Sequence, residues 1–261
     1  MRTGGDAMAA RRLTTCLAAS AALLLAPALA PVARASDGDD LSARELADQA
    51  RNNLLDAESV HLRLTDRSKG VEVSSTQPTS MDLALDRDGN CAGEMEMGRD
   101  GGTVEIVKQG DEVWMQPDTD FWKAQVPGSQ GEAAAELFEN RWIHGSTDDA
   151  LLKGMADTCD LKTFQKDIGA GNGTAPTLAK GGKTERDGTE VFPLTGRENG
   201  TTLTMYVTAD SPHRAILITQ RGDGTDMSVT FKDYDKPVPT RTPPPGESVD
   251  VSRLQEELQS I

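Results

Sequence analysis

The run Met81-Asp82-Leu83-Ala84-Leu85-Asp86-Arg87-Asp88-Gly89-Asn90-Cys91-Ala92-Gly93-Glu94-Met95-Glu96-Met97 decides the fold. Apolar and polar side chains alternate on both sides of Asp88-Gly89-Asn90, so each flank reads as a strand with one apolar face. The Asp-Gly-Asn link is turn chemistry, because these residues tolerate the left-handed backbone that a tight hairpin needs.

The same grammar extends outward. Val60, Leu62 and Leu64 alternate with His61, Arg63 and Thr65, and Asp100-Gly101-Gly102 precedes Val104 and Ile106. Gln109-Gly110-Asp111 leads into Val113-Trp114-Met115, and Phe121-Trp122-Lys123 is expected to close this series of strands. Turn residues at short intervals between alternating runs predict an antiparallel meander. Ahead of it, apolar residues from Leu41 to Ala57 recur at helical spacing, with Ser42 and Glu45 placed as a capping box. Behind it the period lengthens. A helix is expected over Glu132–Trp142, a second from the Thr147-Asp148-Asp149 cap to near Cys159, and a short turn over Asp160–Asp167. After a Gly-rich link at 169–173, strands return over 178–184, 190–194, 201–207, 215–219 and 227–231. Asp187-Gly188, Asn199-Gly200, Asp210-Ser211-Pro212 and Asp223-Gly224 separate them. A Pro-rich segment from Pro237 to Pro245 and a short helix near Val251–Leu258 end the chain.

The fold class is therefore α+β, built on one antiparallel sheet. A sheet of so many strands must curl or close, since long flat edges invite aggregation. The helices are its available covers. Between sheet and helices lies either a packed core or an apolar cavity.

The leader sets the compartment. Arg11-Arg12, an uncharged run through Leu23-Leu24-Leu25 and the small residues of Ala33-Arg34-Ala35 predict a signal peptide over residues 1–35. Pro27 and Pro31 fit poorly with a membrane anchor, and Cys16 stands before the apolar run, where lipidation is not expected. One domain is expected over 36–245, followed by a tail at 246–261. Without the leader, Cys91 and Cys159 remain, and an even pair in an exported domain is most simply a disulfide. Two free thiols or a metal site are the alternatives, and no CxxC or nearby histidine favours a metal.

The formal net charge is −15, and removing a leader with four arginines makes the remainder more acidic. Such a surface repels phosphate backbones, so no nucleic-acid partner is expected, and contact with anionic membranes is expected to be transient at most. Catalytic signals are absent from the pattern. His61, His144 and His213 form no HExxH-type cluster, and Gly128-Ser129-Gln130-Gly131 lacks nucleophile-elbow spacing. Asp86, Asp88, Asn90 and Glu94 start like a calcium loop, but Gly89 comes fourth and Met97 twelfth, which breaks the ligand series. Neither a metal nor a cofactor is expected.

The element order, with Ser59-Val60-His61 after an amphipathic helix, resembles the LolA-like family of exported lipoprotein and lipid carriers, specifically its actinobacterial LppX/LprG-type branch. Asp88-Gly89-Asn90-Cys91-Ala92-Gly93, Gly110-Asp111-Glu112-Val113-Trp114 and Phe231-Lys232-Asp233-Tyr234-Asp235-Lys236-Pro237-Val238 carry the likeness. It implies an unclosed half-barrel over helices that shelters acyl chains without catalysis. Many members of that family are anchored by a lipidated cysteine. None is well placed here, so a freely secreted or extracytoplasmic envelope form is expected. The residues agree with lipid carriage. Methionine thioethers adapt to varied guests, and Met81, Leu83, Leu85, Met95, Met97, Ile106, Leu137, Phe138, Leu152 and Met155 are the candidate cavity lining. The alternative is an envelope protein-binding or sensor module on the same fold.

Overall fold

The computed structural model describes residues 38–69, 74–75, 77–98, 100–126, 128–170 and 177–253. The predicted leader, and the predicted terminal helix from 254 onward, lie outside the described residues.

The chain enters through α1 (Ala43–Asp56) and then lays down β1 (Ser59–Asp66), β2 (Pro78–Asp86), β3 (Cys91–Met97), β4 (Thr103–Gln109) and β5 (Glu112–Pro117). The helical stretch follows as α2 (Thr119–Gln125), α3 (Ser129–Phe138), α4 (Ala150–Asp157) and α5 (Leu161–Ala170), with β6 (Trp142–Ser146) between α3 and α4. The second half comprises β7 (Ala179–Lys180), β8 (Thr184–Arg186), β9 (Thr189–Glu198), β10 (Thr201–Thr208), β11 (Ala215–Gly222), β12 (Thr225–Lys232) and β13 (Ser248–Asp250).

All these strands form a single sheet. Its order is β13-β6-β5-β4-β3-β2-β1-β12-β11-β10-β9-β7, with β8 on β9. Every pairing is antiparallel except β13 on β6. The two meanders meet at β1, which pairs with β2 on one side and β12 on the other. Its two ends do not pair, so the sheet is an unclosed half-barrel, and the expected α+β architecture is present. The hairpins close as their dipeptides require: Asp187-Gly188, Asn199-Gly200 and Asp223-Gly224 each place both residues at positive φ.

Helix α1 starts at the expected capping box. The Glu45 N–H donates to Ser42 Oγ at 3.2 Å, and the Ser42 N–H donates to Glu45 Oε2 at 2.8 Å. Its far end is held by α5. Gln165 Nε2 donates to the carbonyls of Leu54 (3.0 Å) and Ala57 (2.9 Å), while Arg51 of α1 donates to those of Ile168 (3.2 Å) and Gly169 (2.7 Å) on α5. Each helix thus satisfies terminal carbonyls of the other, groups that would cost free energy if buried without partners.

Several local expectations are corrected. Phe121-Trp122-Lys123 is helical, not a strand, because Asp118 accepts from the Phe121 N–H at 2.7 Å and starts α2. The helix expected to reach Trp142 stops at Phe138, since Asn140 turns left-handed (φ 56°) and releases Trp142 into β6. The short turn after Asp160 is the full helix α5, opened by Asp160 accepting from the Thr163 N–H at 3.0 Å. The 178–184 strand divides into β7 and the start of β8. Within the expected tail, Ser248–Asp250 joins the sheet as β13.

The chain between β12 and β13 is a strap. It starts where Tyr234 donates its hydroxyl to the Ala215 carbonyl (2.7 Å) and the Asp235 N–H donates to the Ser59 carbonyl (2.9 Å). Burial, opposed in part by the nearby Arg214 charge, pushes the Tyr234 phenol well above its usual pKa, so it stays a neutral donor. The strap must pass seven inter-strand steps, about 34 Å at about 4.8 Å each. Residues 233–247 cover about 46 Å in the extended form that their prolines favour, which is enough.

Candidate functional site

Cross-strand register sorts the sheet's side chains onto two faces. The face toward the helices carries one continuous transverse row: Met205, Ile218, Val229, Leu64, Met81, Met95, Val104 and Pro117, each opposite the next from β10 to β5. All are apolar, but they are not covered alike. Met95 and Val104 are fully buried, whereas Met205, Ile218, Val229, Leu64 and Met81 are only half-buried. Helix placement accounts for the difference. Helix α4 packs on β5 and β6 and α2 on β4; α1 packs on β10 and β11, where the pair Val207 and Ala215, next along from Met205 and Ile218, is buried. Helix α5 reaches β12 one row further along, where Phe164 meets Phe231 with ring centroids 6.4 Å apart. The half-buried band spans four inter-strand steps, about 19 Å, and Met155, Phe164 and Ile168 of the helix layer are likewise half-buried against the core.

The ten residues singled out in the sequence are distributed unevenly around this band. Met81 lies in it, and Met155 is half-buried on α4. Leu83, Leu85, Met95, Met97, Ile106, Phe138 and Leu152 are buried between sheet and helices, and Leu137 is 40% exposed on the outside of α3. Leu64, Met205, Ile218 and Val229 were not among the lining residues read from the sequence. The signal was present, for Leu64 in the alternation of β1 and for the others in that of the C-terminal strands, but register alone brings those strands beside β1. Cys91 and Cys159 are bonded, with Cα atoms 5.5 Å apart, and tie the start of β3 to the end of α4.

The opposite face, crossed by the strap, is polar. Asp82, Glu94 and Glu105 stand side by side on β2, β3 and β4 and help to line a cleft of about 500 Å³ that the strap residues Lys236 to Pro239 overhang. Asp82 accepts from Arg63 Nε at 2.7 Å and also bonds His61 Nε2. Burial raises the Asp82 pKa, but the hydrogen bonds from His61 and Arg63 outweigh it and hold the carboxyl below its ordinary value. The carboxylate therefore stabilises the fold at neutral pH, and that contribution fades as pH falls below about 4 and through the depressed value. Asp82→Asn should lose about 1 kcal/mol at pH 7, and urea titrations should show the gap to the parent closing under acid. A gap independent of pH contradicts this. No cluster able to hold a metal occurs among the described residues. None of the described helices is long and apolar enough to cross a membrane.

Comparison with solved structures bears on the fold. LprF from Mycobacterium bovis superposes with a TM-score of 0.50 at 12% identity, over 77% of this chain and 96% of that one. This chain has the LprF fold. The likeness to the LppX/LprG-type branch read from sequence therefore holds at the level of architecture. The Mycobacterium tuberculosis lipoprotein LppX also matches, at 15% identity over 76% of this chain and 98% of its own, with a TM-score of 0.46. A LolA superfamily protein from Nitrosomonas europaea matches at 10% identity over 78% and 96%, with a TM-score of 0.22. No family model and no curated protein matches the sequence. In this LprF-like half-barrel the half-buried band occupies the concave face, and the carboxylate row occupies the convex one.

Proposed function

We propose that this is an exported, non-catalytic protein that binds lipid or another long-chain hydrophobic ligand along the concave face of its half-barrel. The half-buried row Met205–Ile218–Val229–Leu64–Met81 carries the reading. Five apolar side chains in register, facing the helix layer yet incompletely covered by it, form a surface that gains by taking up a hydrocarbon. The buried Leu83, Leu85, Met95, Met97, Ile106, Phe138 and Leu152 form the wall adjoining it, and Met155 its rim. Each buried methylene supplies about 0.8 kcal/mol, so about ten of them supply about 8 kcal/mol against the several kcal/mol that association costs. That arithmetic selects a long alkyl chain over a short one. The acidic surface favours a soluble carrier that touches membranes only in passing.

Native mass spectrometry of the purified protein should show co-purified acyl species, and the stripped protein should take up palmitate saturably. Met205→Trp, which fills the β10 end of the half-buried band, should weaken palmitate binding about tenfold or more while leaving the unfolding transition in place. A protein whose native mass is that of the bare polypeptide and which takes up no palmitate overturns the proposal.

A further inference from the structure

The convex face holds a second cleft, of about 470 Å³, at the junction of β8, β9, β11, β12 and the start of the strap. Its floor depends on a local irregularity. The β10–β11 register shifts between Tyr206 and Val207, so that Tyr206 pairs with Leu217 while Val207 pairs with Ala215. Register puts Leu217 on this face, opposite Tyr206 and Thr230, and Ile216 is the extra residue of the bulge; both line the cleft. Tyr234 borders this floor, held neutral by its burial, and its hydroxyl donates to the Ala215 carbonyl.

The rim is cationic, although the chain as a whole is strongly acidic. Arg186, Lys232 and Lys236 line the cleft, and none of them is in an ion pair among the described residues. Arg186 is positioned in advance. Its guanidinium lies 4.6 Å from the centroid of the Tyr206 ring and donates to the Tyr206 hydroxyl at 3.0 Å, which leaves further donors for a ligand. Arg214 also lines the cleft, but its charge is met by Asp235 at 2.7 Å. Asp187 and Asp233 are the carboxylates on the lining, so the cations outnumber them.

We propose that this cleft is an anion-binding site for an amphiphile with one phosphate or carboxylate head and an alkyl tail, the head held by Arg186, Lys232 and Lys236 and the tail laid on Ile216 and Leu217. The site is independent of the concave band, lying on the other face of the sheet. Free inorganic phosphate shares the head-group chemistry but cannot use the apolar floor.

Titration calorimetry on the full protein with octyl phosphate, inorganic phosphate and octanol separates these sources. Octyl phosphate should bind at least tenfold tighter than either other probe, and added salt should weaken it. Lys232→Gln with Lys236→Gln, both exposed and with no hydrogen bond from either ammonium among the described residues, should cost about tenfold or more in octyl phosphate affinity without moving the unfolding midpoint. Met205→Trp should leave it unchanged, which keeps this site distinct from the concave one. Equal affinity for inorganic phosphate overturns the amphiphile assignment. An unaltered octyl phosphate affinity in the double lysine variant overturns the site.

Discussion

Replacing Cys91 and Cys159 together by serine should lower the unfolding free energy by about 4 kcal/mol, the chain-entropy value for a loop of this length. The two positions are 68 residues apart, and their bond joins the first residue of β3 to the second residue beyond the end of α4. Everything from β3 through α4 lies within the closed loop, so the unfolded chain loses much of its freedom when the bond is present. Both cysteines are completely buried, and serine hydroxyls placed there add a desolvation cost. A loss of this size is a large part of the about 5–15 kcal/mol typical of a domain. Urea unfolding of the double variant measures it, and hydrogen exchange should show α4 and α5 opening before the central strands. A change below about 1 kcal/mol would show that native contacts alone hold the insert and that the loop-entropy argument fails for this chain.

Gly93→Ala should be comparably damaging for a different reason. Gly93 is in the middle of β3 at φ +151°, opposite Leu83 on one side and Ile106 on the other. A methyl group there would lie 1.9 Å from the Asp82 carbonyl oxygen and 2.9 Å from the carbonyl carbon. These are backbone atoms of a paired strand and cannot turn aside. Backbone strain of about 1–3 kcal/mol and overpacking of about 1–3 kcal/mol together give about 4 kcal/mol. Gly154→Ala supplies the contrast. It is in α4 with nothing within 4 Å of the added carbon, so alanine should stabilise the protein by about 1 kcal/mol. If both variants melt at the parent temperature, the close approach of β2 and β3 at Gly93 is not as described.

Much of this architecture is written locally. The capping box at Ser42 and Glu45 specifies where α1 begins, because both partners lie within one helical turn. The Asn-Gly and Asp-Gly pairs fix the hairpins, because few other residues accept positive φ twice in succession. The Phe121–Trp122 segment was misread for an equally local reason. Its apolar side chains suit a strand, and the decisive group is the Asp118 carboxylate ahead of them. Strand β13 had no comparable signal, since its partner β6 is remote in sequence and only the strap brings them together.

The candidate site was less legible. Alternation tells which side of a strand is apolar, and Met81 and Met95 are identical on that criterion. They face each other across β2 and β3, yet one is half-buried and the other has no exposure. What separates them is where a helix comes to rest.

By itself, the sequence determined the α+β class, most of the strands and turns, an even cysteine pair suited to a disulfide and the net negative charge. Each of these depends on residue chemistry or on spacing within a few positions. The tertiary structure alone decided which apolar side chains stay partly uncovered, which strands adjoin β1, and where the Pro-rich strap crosses. Those depend on contacts between segments far apart in the chain, where burial is set by what packs opposite a side chain and not by the side chain itself.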